Sequence, residues 1–231
     1  MKKFLSLMLA LLCIFALAAC DGGTGGAGGG GTNPPKKDLD VFEAAAKDTA
    51  PTNITTLTSY RSTDMFGEEL TFDGSFVLLV SGNESILDFT YQKLALPEDN
   101  AEDYIVTKKG AIAIQGGKSK VAIGDDMGSW ETVIPSLQNI AAIRIEKELL
   151  PAGYTLSEDG KKLAATLTKA EALAVLGVVI DSVSDIAFEA ETNGTFLSKV
   201  VISYTASSGA DVRIASSYTY GPQTLDFSRF N

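Results

Sequence analysis

The chain has 231 residues, 45% of them hydrophobic, with 19 basic and 29 acidic side chains, two cysteines and no histidine. The apolar share is that of a globular protein able to bury a sizeable core. The missing imidazole removes Ser-His-Asp and Cys-His catalysis, histidine zinc sites and the usual general base at neutral pH. The net charge of −10 speaks against nucleic acid as an electrostatic partner.

Met1-Lys2-Lys3 is a positively charged start, and Phe4 to Ala16 is an apolar run. Leu17-Ala18-Ala19-Cys20 follows, with small residues before the cysteine. This order of basic, apolar and small-residue regions is that of a secretory signal peptide spanning residues 1–19. The apolar run is shorter than the ~20 residues of a membrane-spanning helix. The tetrapeptide resembles the lipobox of bacterial lipoproteins. That resemblance implies cleavage between Ala19 and Cys20 and acylation of Cys20, palmitate-type chains included, so that the protein is held on the extracytoplasmic face of the cell membrane. Asp21 resembles the signal that retains such proteins at the inner membrane where two membranes exist. Loss of Lys2 and Lys3 with the signal leaves 17 basic against 29 acidic groups, a net −12. Cys13 also leaves with the signal. With Cys20 acylated, no thiol remains for a disulfide, a metal or a nucleophile.

Residues 21–33 read DGGTGGAGGGGTN and run into Pro34-Pro35. A phosphate-cradling glycine loop follows a strand and opens a helix; this stretch does neither, so residues 20–37 read as a lipidated, flexible tether. Such a chain reaches roughly 25 Å on average. The folded domain is expected over residues 38–231.

Asp40-Val41-Phe42-Glu43 fits a capping box and predicts a short helix over 40–48, closed before Pro51. Ile54 to Tyr60 reads as a threonine-rich strand. Leu70, Phe72, Phe76, Leu78 and Val80 alternate around Gly74, Ser81-Gly82-Asn83 turns, and Ser85 to Leu94 returns. Tyr104–Thr107, Ala111–Gln115 and Lys120–Ile123 read as short strands, divided at Lys109-Gly110 and Gly116-Gly117 by hairpin turns. Thr132, with Pro135 in the first turn, opens an expected amphipathic helix through Leu137, Ile140 and Arg144 to about Leu149, ended by Pro151. Leu156 to Thr166 predicts a hairpin about Glu158-Asp159-Gly160. Thr168-Lys169-Ala170-Glu171 is a second capping box, opening a helix that Gly177 ends. Asp185–Thr192 and Phe196–Thr205 flank Asn193-Gly194, the strongest hairpin signal of the chain. Ser207-Ser208-Gly209 then turns into Asp211–Tyr220.

This order of elements predicts an α+β domain: a curved antiparallel sheet, an incomplete β-barrel, with helices covering its concave face. It resembles the LolA-like superfamily, including its LppX/LprG-type lipoproteins. Three segments carry the resemblance: Gly117 to Trp130 (GKSKVAIGDDMGSW), Asn193-Gly194 to Tyr204, and Tyr218-Thr219-Tyr220-Gly221-Pro222. It implies an apolar ligand, typically a lipid, held between sheet and helices. The arginine that latches the lid in LolA has no assignable position in this chain.

Phe76-Val77-Leu78-Leu79-Val80, Ala111-Ile112-Ala113-Ile114 and Val200-Val201-Ile202 are apolar on both strand faces. A sheet wetted on one face alternates instead, so the second face is expected to meet either a helical layer or a ligand. The residues expected to line such a pocket are Phe76, Leu78, Val80, Ile112, Ile114, Trp130, Leu137, Ile140, Phe188, Val200 and Ile202. No cofactor, metal or catalytic residue is expected, and the expected role is not enzymatic. Asp125-Asp126 is an adjacent pair without the spaced oxygen ligands of a calcium loop. Glu68-Glu69 and the cluster from Glu98 to Asp103 read as solvated loops. The partners expected are the membrane, through acylated Cys20, and a lipid or other apolar small molecule, with no nucleic acid. The alternative is a structural or protein-binding lipoprotein with a closed core and no ligand, marked by an apolar outer patch.

Overall fold

The structure is a computed structural model that describes residues 39, 42, 51–64, 66–95, 97–99, 102–116, 118–124, 145–146, 148–177 and 179–230. Ten strands form one antiparallel sheet: β1 (Asn53–Thr63), β2 (Glu69–Ser81), β3 (Glu84–Leu94), β4 (Ile105–Gln115), β5 (Lys118–Gly124), β6 (Thr155–Leu156), β7 (Lys162–Leu167), β8 (Ile186–Thr192), β9 (Leu197–Thr205) and β10 (Asp211–Thr219). Their spatial order is β5-β4-β3-β2-β1-β10-β9-β8-β7-β6. Two five-strand meanders are thus joined where β1 pairs with β10, and the curved sheet remains open, with β5 at one edge and β6 at the other.

Local sequence accounts for the turns. Gly82 sits at φ +60° between Ser81 and Glu84, a left-handed position that suits the twist of a tight hairpin. Asn193 accepts the amides of Thr195 and Phe196 at its side-chain oxygen, closing the turn between β8 and β9. One α-helix stands among the described residues, α1 (Lys169–Leu176). The expected capping box forms there: Glu171 N–H donates to Thr168 Oγ1 at 3.3 Å, while Thr168 N–H donates to the Glu171 carboxylate at 2.7 Å. Gly177 closes it at φ +67°, its N–H donating to the Leu173 carbonyl.

Two expectations need correction. Lys109-Gly110 is no turn: β4 runs unbroken from Ile105 to Gln115, pairing with β3 along its whole length. Gly110 lies opposite Gly124, and a Cβ on Gly124 would come within 2.6 Å of Gly110 Cα and 2.4 Å of the Lys109 carbonyl oxygen. The glycine here permits close backbone approach, the other common reason for glycine in a strand. The helix expected to reach Leu149 does not do so. Ile145 and Glu146 are irregular, and Glu148 to Leu150 form a turn, with Leu149 N–H on the Glu146 carbonyl. Pro151 follows directly, and a proline biases the preceding residue away from helical backbone. The rest of that helix, and the one over 40–48 apart from helical Phe42, lie outside the described residues.

Cross-strand registers divide the sheet into two faces. A row on the inner face crosses all ten strands: Leu156, Leu163, Ala190, Val200, Ser216, Thr56, Phe76, Phe89, Gly110, Gly124. The neighbouring row carries Tyr218, Ile54, Leu78, Leu87 and Ile112. These apolar side chains belong to one buried cluster with Leu39, Phe42, Ile145, Leu150 and the α1 residues Ala172, Val175 and Leu176.

Candidate functional site

The inner face gathers most of the residues expected to line a pocket. Phe76, Leu78, Ile112, Phe188, Val200 and Ile202 are buried members of the single core cluster, and Val80 and Ile114 pack against it half-buried. Their common face follows from period-two alternation along each strand. Trp130, Leu137 and Ile140 lie outside the described residues, as do Cys20, Ala19 and Asp125-Asp126.

The face has a polar island at its centre. Thr56 and Ser216 are buried opposite one another on β1 and β10, with hydroxyl oxygens 3.0 Å apart. Each hydroxyl is satisfied by the other, so neither bears the cost of an unpaired buried group. Tyr218, beside Ser216, is fully desolvated, and burial pushes its phenol far above the ordinary range against a weaker opposing hydrogen bond from Ser216. Tyr204 is raised chiefly by burial and secondarily by the Asp181 charge. Tyr220, stacked on Phe196 with ring centroids 4.4 Å apart and donating to the Leu197 carbonyl at 2.8 Å, is pushed up to about 12 by burial. These phenols stay neutral across the physiological range.

The outer face behaves differently. Most of its positions are polar, as in the run Ser59, Asp73, Gln92 and Thr107. Its apolar positions include Leu57, Val77, Leu79, Val201 and Ala215, and a stripe of Ile86, Ala111 and Ala113 that is buried beneath Leu225, Phe227 and Phe230 of the C-terminal segment. That segment is fastened at both ends. Thr52 Oγ1 donates to the Gly221 carbonyl at 2.6 Å, and Arg229 forms a bidentate pair with Asp88 at 2.7 and 2.8 Å. The Asp88 hydrogen bonds raise the Arg229 pKa further, and its guanidinium lies 5.0 Å from the Phe230 ring centroid. The second apolar face of β3 and β4 is therefore covered by residues 225–230, the last three of which, Ser228–Phe230, form a 3-10 turn of helix. The alternating apolar pattern of Leu225, Phe227 and Phe230 beside Asp226 and Arg229 was the available signal. A shallow groove of about 420 Å³ runs alongside this strap, floored by Val77, Ala111 and Ile123 with Lys109 and Arg229 at its sides. None of the eight expected lining residues that are described borders it.

The acidic cluster after β3 has a structural use. Asp99 is almost buried between Lys93 and Lys108, at 3.1 and 2.6 Å. Among the described residues no three His, Cys, Asp or Glu side chains converge as a metal site, and no helix is long and apolar enough to cross a membrane. Set beside known proteins, the chain matches no family model and has no significant counterpart among curated sequences.

Proposed function

We propose that the protein is an extracytoplasmic lipoprotein, anchored through acylated Cys20, that holds a lipid or other apolar ligand against the concave face of its open sheet. The observation that carries this reading is one continuous apolar face on an open sheet, whose ten strands at about 4.8 Å spacing extend over roughly 43 Å. An unclosed sheet with so broad an apolar face, on a chain with the layout of LolA-like proteins, suits a ligand that spreads along the face. The role is binding, as carrier, chaperone or sensor, and not catalysis.

Two measurements test the reading. Metabolic labelling with an alkyne palmitate analogue is expected to mark the chain and to fail on Cys20→Ser. Native mass spectrometry of the Cys20→Ser chain, exported behind a signal whose cleavage does not depend on Cys20 and so free of covalent lipid, is expected to reveal a non-covalent apolar adduct that organic extraction removes. A bare mass after mild purification, with no uptake of added fatty acid, removes the ligand.

A second reading has its own support. Leu78, Leu87, Ile112 and Phe188 have no solvent exposure at all, and the outer apolar stripe is covered by the strap. A lipoprotein with a filled core, working through its outer surface, fits those facts and accounts for a bare mass.

A further inference from the structure

The sequence contains three Asn-Xaa-Ser/Thr triplets with no proline in the middle: Asn53-Ile54-Thr55, Asn83-Glu84-Ser85 and Asn193-Gly194-Thr195. Such a triplet is the acceptor for N-linked glycans, read through the asparagine amide and the hydroxyl two residues on. The pattern also arises by chance, so access decides which triplet is a site. Asn53 lies within β1, paired with Thr219 on one side and Leu79 on the other, and its side-chain oxygen is buried without a partner. Asn83 is exposed in the turn from β2 to β3, but Ser85 lies within β3, opposite Ile114 and only 3% exposed. Neither triplet offers both groups to an enzyme. Asn193, Gly194 and Thr195 are all exposed, in the connection between β8 and β9.

The local geometry favours this third triplet. Asn193 Oδ1 accepts the amides of Thr195 at 2.9 Å and Phe196 at 2.8 Å, which bends the chain into an Asx turn. These bonds engage the oxygen of the side-chain amide. Among the described residues, Nδ2, the atom that would take the sugar, has no hydrogen bond, and neither has the Thr195 hydroxyl. Gly194 sits between them at φ +97°, with no side chain to obstruct the bend. The nearest crowding atom is on Lys161, 4.0 Å from where a Cβ on Gly194 would stand, toward the far end of a flexible side chain. Glu191, two residues before the asparagine, adds a carboxylate held only by 3.8 Å contacts with Lys162 and Lys199. An acid at that place gives a bacterial transferase a charge to grip; Pro51 and Ser81 stand there in the other two triplets.

We propose that Asn193 is an N-glycosylation site that takes an oligosaccharide from a polyprenyl-diphosphate carrier. The bond formed joins Asn193 Nδ2 to the anomeric carbon of the sugar. The bond from that carbon to the diphosphate oxygen breaks, the polyprenyl diphosphate leaves, and the Nδ2 proton passes to a base of the transferase. In the cell the transfer rests on the export proposed above, since such carriers present their sugar outside the cytoplasm. The acceptor itself is tested without export, so failure of the one is distinguishable from failure of the other.

The full chain, purified in detergent, is incubated with a purified bacterial oligosaccharyltransferase, manganese and a polyprenyl-diphosphate-linked oligosaccharide. Glycopeptides are mapped by mass spectrometry, with a synthetic peptide of residues 189–197 as the unfolded reference. Transfer is expected to the peptide and to Asn193 of the folded chain, with Asn53 and Asn83 left bare. Thr195→Ala is expected to abolish the product while Tm stays unchanged, because that hydroxyl makes no hydrogen bond, and Thr195→Ser is expected to retain it. Glu191→Gln is expected to slow transfer several-fold. The proposal is overturned if Asn193 of the folded chain stays bare, whether or not the peptide is modified. Modification of Asn53 or Asn83 as readily as Asn193 also overturns it, and so does undiminished transfer to Thr195→Ala.

Discussion

The inner and outer faces of this sheet carry similar apolar residues for different reasons. On the inner face the apolar rows extend across the whole sheet and belong to one cluster with α1, Leu39, Phe42, Ile145 and Leu150. On the outer face most positions are polar, and the buried apolar cluster there is a stripe of Ile86, Ala111 and Ala113 on β3 and β4 beneath three side chains of the C-terminal strap. A strand that reads as greasy on both sides therefore need not have one cause. Here one side belongs to the core and the other to a terminal segment added to the outside.

That difference can be broken experimentally. The largest effect is expected on the inner face, where Phe188→Ala should cost about 3–5 kcal/mol and Leu87→Ala about 2–5 kcal/mol, since each leaves a cavity in a fully buried cluster. Urea unfolding checks both. On the outer face Phe230→Ala should cost about 2–3 kcal/mol, toward or below the low end of the range for a buried phenylalanine, because the strap can detach while the sheet persists. Hydrogen exchange should then open 223–230 and the outer positions of β4 without loosening β8 or β9. An equal global loss from both faces would erase the distinction.

Alkaline pH sharpens it further. Tyr60, Tyr204, Tyr218 and Tyr220 all have phenols raised by burial. Their folded pKa values exceed the unfolded value near 10, so the unfolded chain gives up these protons first. Their contribution to stability is complete below about pH 10 and declines as pH rises above it. Ultraviolet titration should find Tyr204 and Tyr218, the most deeply buried of them, ionising only with unfolding. The smallest effect belongs to Arg229→Ala. The pair with Asp88 is 40% exposed on each side, and a pair so open to solvent contributes about 1 kcal/mol or less. The strap's aromatic contacts should hold it in place, with a small drop in Tm sensitive to salt.

Much of the sheet was legible in the sequence because its signals are local. The Asn193-Gly194 hairpin, the turn at Gly82 and the Thr168–Glu171 box each rest on a few neighbouring residues, and all three form. Lys109-Gly110 misled because glycine serves both turns and close strand packing, and only the position of Gly124, fourteen residues on, distinguishes them. The pairing of β1 with β10 and the return of residues 225–230 to β3 and β4 depend on contacts more than 110 residues apart. No local pattern encodes such a distance. For the candidate site, alternation placed eight of the expected lining residues on one face. The same alternation could not say what meets the second face, since an apolar strand position looks alike beneath a helix, a ligand or a terminal strap.

A diazirine-bearing fatty acid, photolysed with the secreted Cys20→Ser chain and mapped by peptide sequencing, separates the faces most directly. The account requires its adducts on inner-face strands β2, β3 and β4, at positions such as Leu78, Leu87 and Ile112, with competition by unlabelled fatty acid. Adducts confined to the outer groove at Val77, Ile123 and the strap, or no competable adduct at all, would contradict it.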